Sequence, residues 1–69
     1  MRTIKTALII PEGETRTIKT NFIQVRSTIP LPAMGEPITA VELTTGYEYP
    51  GEVIQVDRVR YGYTVEVHG

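Results

Sequence analysis

The 69-residue sequence predicts an all-β domain, either a small antiparallel barrel or a compact sandwich of five to six strands, rich in hairpins. Three observations carry this. β-branched Thr, Ile and Val dominate the long segments, and no apolar period of 3.6 residues runs for three turns. Turn signals recur at Pro11-Glu12-Gly13, Thr44-Thr45-Gly46, Tyr49-Pro50-Gly51 and Tyr61-Gly62. The pentapeptide Arg-Thr-Ile-Lys-Thr occurs twice, at Arg2–Thr6 and Arg16–Thr20, flanking the first of those turns.

The elements follow in order. Strands are expected over residues 2–10, 14–26, 37–44, 52–60 and 63–68, with a short extra strand at 47–49. Pro11-Glu12-Gly13 suits a type I turn followed by a left-handed glycine, which makes a three-residue hairpin loop with a bulge. That register opposes Ile10 to Glu14 and puts Ile4, Leu8, Ile10, Ile18 and Phe22 on one face. Lys5 then lies directly opposite Lys19 on the other face. Residues 27–36 contain Pro30 and Pro32 and read as an ordered crossover, whose Ile29, Leu31 and Met34 can cover a core edge or reach a neighbour. A two-residue turn at Tyr61-Gly62 pairs Arg60 with Tyr63. It gathers Ile54, Val56, Tyr63, Val65 and Val67 on one face and sets Asp57 against Glu66 on the other.

The strand count is compatible with an SH3-like barrel, and the lack of a helical stretch between strands three and four counts against an OB-fold. Residues 1–69 make one domain. A chain of this size buries only about 60% of its unfolded surface, so its core is marginal. The sequence has no cysteine and a single histidine, His68, so disulfides and a Cys/His zinc site are excluded. Self-association is the remaining staple, and no metal or cofactor is expected.

Composition narrows the partners. Apolar residues make up 41% and charged residues 22%, too apolar for disorder. The longest apolar run, Ala7-Leu8-Ile9-Ile10, is far short of a membrane helix, and the start of the chain does not read as a signal peptide. The expected setting is cytoplasmic, away from membranes. The net charge of −1 conceals an asymmetry. Residues 1–34 carry five basic against two acidic side chains (+3), and residues 35–69 carry two against six (−4). Such polarity either steers copies together or pairs internally.

Chemistry-bearing constellations are few. His68 lies beside the end of the sequence, and no glycine-rich phosphate loop is present, so no enzyme is expected and no catalytic residue is assigned. An acid/base enzyme using Asp57 and Glu66 is the remote alternative. Tyr47 and Tyr49 alternate so as to form a ledge. Arg58, Arg60, Tyr61 and Tyr63 combine planar cations with aromatic area, the composition of binding hot spots. Lys5 and Lys19 add a second basic pair. The sequence pI of about 5.7 argues against general nucleic-acid binding. The leading expectation is a non-catalytic interaction protein acting as a homo-oligomer or docking on a protein partner. The alternative is a binder of an anionic small molecule such as a nucleotide, or of an oligonucleotide, through Arg58, Arg60, Tyr61, Tyr63, Lys5 and Lys19.

Overall fold

A computed structural model describes residues 2–21 and 30–69. The described chain is all-β: β1 (Arg2–Thr6), β2 (Thr15–Asn21), β3 (Pro37–Glu42), β4 (Glu48–Asp57) and β5 (Gly62–His68). They form one sheet in the order β1-β3-β4-β5-β2, curled into a half-barrel. β3–β4 and β4–β5 are antiparallel hairpins, β2 is antiparallel to β5, and β1 runs parallel to β3. Among the described residues no helix is long and apolar enough to cross a membrane.

The expected first hairpin does not form. Lys5 lies opposite Val41 and Lys19 opposite Thr64, at opposite edges of the sheet. The turn itself is real: the Glu14 N–H donates to the Pro11 carbonyl at 3.0 Å, with Gly13 at φ 81°. A local turn, however, does not choose its strand partner. Residues 7–10 leave the sheet, with the Leu8 N–H donating to Thr6 Oγ1 and the Ile10 N–H to the Tyr49 hydroxyl. They carry the chain across the end of the half-barrel from one edge to the other. Ile10 is buried on the way, whereas Leu8 is exposed. Phe22, Ile29 and the last part of the expected second strand lie outside the described residues.

The β4–β5 register also departs from expectation. Asp57 lies opposite Gly62, and Glu66 opposite Glu52, so Asp57 and Glu66 are not a pair. Asp57 Oδ1 accepts from the amides of Val59 and Arg60, each at 3.0 Å, and holds a longer loop than the two-residue turn. Tyr61 takes a left-handed φ of 55°. The register then slips between Val53 and Gln55, so Val53 is buried and Ile54 turns outward. The expected short strand at 47–49 and the fourth strand are one element. Pro50 sits in β4 opposite Thr39 of β3, ahead of the pairing with β5 that begins at Gly51. A Cβ on Gly51 would come within 2.8 Å of the Glu66 carbonyl oxygen and 2.9 Å of Val65 Cγ1, so only glycine lets the backbones approach this closely.

The core is the concave face: Ile4, Ile10, Ile38, Ala40, Tyr49, Val53, Tyr63, Val65 and Val67, with Ile18, Leu31 and Val56 packed against it. Arg2 forms an ion pair with Glu36 at 3.0 Å and donates to the Pro30 carbonyl at 2.6 Å, joining the basic and acidic halves of the sequence. It also hydrogen-bonds the Tyr63 side chain. A flat sheet would hold β1 and β5 about 14 Å apart, three strand spacings, so this bond requires the curl.

Glu42 is the other polar anchor, a buried carboxylate at the end of β3. It accepts from the Thr44 hydroxyl at 2.5 Å and amide at 3.0 Å, and from the Thr45 amide and hydroxyl at 2.9 Å each. The Thr44 bonds, then those of Thr45, outweigh desolvation and lower its pKa from 4.5 to about 2. Because the folded value is the lower one, the ionised group stabilises the fold at neutral pH. That contribution is lost as pH falls below about 4.5 towards about 2. Urea midpoints at pH 7 and at about pH 3 should therefore differ more for the wild-type chain than for Glu42→Gln, whose amide does not titrate. Equal pH dependence of the two proteins would show that Glu42 does not carry it.

Candidate binding site

The last three strands in the sheet order, β4, β5 and β2, position a cleft of about 270 Å³ lined by Lys19, Thr20, Gln55, Asp57, Arg60, Gly62, Tyr63 and Thr64. Alternation places it mainly on the convex face. Val53–Val65–Ile18 and Val56–Tyr63–Thr20 are rows of the core face, so Gln55–Thr64–Lys19 and Asp57–Gly62 fall on the other. Gly62 lines it without a side chain, and Arg60 comes from the loop between β4 and β5.

The cleft gathers Lys19 and Arg60, both exposed, around one carboxylate, Asp57. Among the described residues neither cation makes an ion pair. Asp57 already spends Oδ1 on the two loop amides. The site therefore has an excess of one positive charge, with Gln55 and Thr64 as hydrogen-bonding neighbours.

Three of the six residues singled out from the sequence meet here: Lys19, Arg60 and Tyr63. Lys5 is on the far edge, and Arg58 and Tyr61 belong to the loop without lining the cleft. Tyr63 is only 3% exposed, a core residue before it is a contact residue. Burial raises its pKa, against the opposing effects of Arg2 and Thr20, so the phenol stays protonated at neutral pH. The Tyr47–Tyr49 ledge does form, with ring centroids 4.8 Å apart and planes inclined at 53°. Tyr49 is its buried member and Tyr47 its exposed one. Sequence reasoning missed Gln55, Thr64 and Gly62, whose convergence depends on the register. The loop-capping role of Asp57 did have a signal, an Asp beginning a polar loop between two apolar runs.

Elsewhere on the convex face, Glu52, Glu66 and His68 offer ligand atoms within 4.8 Å of one another. His68 Nε2 lies 3.8 Å from Glu66 Oε1, and Nδ1 lies 3.3 Å from the Thr15 hydroxyl. Among the described residues this trio is the set that could gather a cation.

Asp57→Ala should strip the cap from the Val59 and Arg60 amides and cost about 1 kcal/mol, a partly exposed charge-assisted pair of bonds. In a domain of this size that is a fall in Tm of about 4–8 °C. Asp57→Asn, which keeps an acceptor oxygen, should lose less; equal losses in the two variants would contradict the capping role.

Compared with family models, curated proteins and solved structures, the chain matches none.

Proposed function

We propose that the chain is a small, non-catalytic interaction protein that works as a homo-oligomer. The observation that carries this reading is the placement of the repeat. Its two copies form the two outer strands of the sheet, β1 and β2, each paired on one side only among the described residues. Both copies use the same pattern. Arg, Ile and Thr share one face of the strand and Thr and Lys the other; on the first, Ile4 and Thr6 are buried and Ile18 and Thr20 half-buried, while Arg16 is exposed. An edge strand offers a row of backbone donors and acceptors for another chain. A sheet this small gains from covering it, because its own core is marginal. A carboxylate pair for acid/base work is not supported at Asp57, whose cross-strand neighbour is Gly62. Sedimentation equilibrium at about 100 μM, roughly a hundredfold above a micromolar dissociation constant, should return at least twice the 7.7 kDa chain mass. A clean monomer there would overturn the reading.

A second reading rests on the cleft. Lys19 and Arg60 line it with a net excess of one positive charge, which suits an anionic small molecule such as a phosphate ester. Millimolar pyrophosphate should raise the Tm of the wild-type chain and leave Lys19→Ala/Arg60→Ala unmoved, since a ligand selective for the native state must stabilise it. An equal shift in both proteins would place the anion elsewhere.

A further inference from the structure

We infer that β2 is the edge that pairs, joining β2 of a second copy in antiparallel register centred on Ile18. This rests on the self-association reading and specifies its geometry. The strand reads Thr15-Arg16-Thr17-Ile18-Lys19-Thr20-Asn21 and is self-complementary about its centre. Ile18 meets Ile18 of the second copy, Thr17 meets Lys19, Arg16 meets Thr20, and Thr15 meets Asn21. No like charges stand opposite one another, whereas a parallel in-register pair would set lysine against lysine and arginine against arginine. The half-buried Ile18 also gains an apolar neighbour on the core-facing side.

Charge on the convex face selects β2 over β1, although both carry the same pentapeptide. Thr17 lies opposite Glu66, and Glu66 opposite Glu52, so the row reads Glu52–Glu66–Thr17. In the inferred pairing the next side chain along that row is Lys19 of the second copy. Two strand spacings, about 10 Å, separate it from Glu66 at the backbone, a gap that the lysine and glutamate stems span between them. The facing acidic pair, otherwise mutually repulsive, thus receives a cation from the neighbour. The corresponding row at the other edge is Thr3–Thr39–Pro50, which holds no carboxylate for Lys5. Arg2 is already committed to Glu36 and Pro30, whereas among the described residues Arg16 bonds the exposed Glu14 and its neighbour's backbone. The pairing is isologous, so it closes at two copies and makes a ten-stranded sheet with β1 at both ends.

Charge reversal and cross-linking test it together. Lys19→Glu and Glu66→Lys should each raise the dimer dissociation constant about tenfold, because two symmetry-related pairs turn from attraction to repulsion. The double swap Lys19→Glu/Glu66→Lys should return it to within about threefold of wild type, the pairs being restored with their signs exchanged. Thr17→Cys protein mixed with Lys19→Cys protein should form a disulfide-linked heterodimer under mild oxidation, since directly opposed strand residues meet the Cα spacing a disulfide needs. Thr3→Cys with Lys5→Cys should not. A wild-type monomer would overturn both the self-association reading and this geometry. An oligomer that cross-links through residues 3 and 5, or that ignores both charge reversals, would overturn the geometry alone.

Discussion

A single sheet of five strands has to bury one of its faces, and among the described residues no helix lies over it. Curling the sheet on itself meets that constraint, and most other features follow from it. The central strand β4 carries the devices that permit the bend. Gly51 lets the backbone of β5 and the Val65 side chain close in, and the register slip at Ile54 turns Val53 and Val56 both inward. Once the sheet is curled, Tyr63 on β5 reaches the guanidinium of Arg2 on β1, and the concave side becomes a continuous apolar core.

Curling without full closure leaves edges, and here the repeat acquires its meaning. The same five residues serve at both ends of the sheet because both ends pose the same problem: one face to the core, one to solvent, one side unpaired among the described residues. Isoleucine satisfies the core and threonine suits an extended backbone, while lysine on the outer face discourages indiscriminate edge pairing. In the inferred dimer register such a lysine would also be selective, facing a threonine with an acid beyond it.

The loops of the two hairpins, β3–β4 and β4–β5, are held by carboxylates. Glu42 gathers the amides and hydroxyls of Thr44 and Thr45, and Asp57 gathers the amides of Val59 and Arg60. In both cases an acid at the last position of a strand organises the loop that follows. Arg60 and the candidate cleft inherit their geometry from the second of these caps.

The all-β class, β3 over most of its expected range, and β5 were legible because β-branched content, alternation and turn residues are local properties of the chain. The Pro11–Glu14 turn was legible for the same reason, as was the inward placement of Ile4, Val65 and Val67. Strand partners were not. A turn constrains only the few residues it spans, whereas β1 found a parallel partner more than thirty positions away, at a register set by burial of Ile4 and Thr6 over β3. The second hairpin register failed because capping by Asp57 and the slip at Ile54 depend on close packing between strands, which alternation alone does not reveal. Residue types for a basic, tyrosine-rich site were therefore visible in the sequence. Which cations share a cleft, Lys19 with Arg60 rather than Lys5 with Lys19, was decided by the order in which the curled sheet placed its strands.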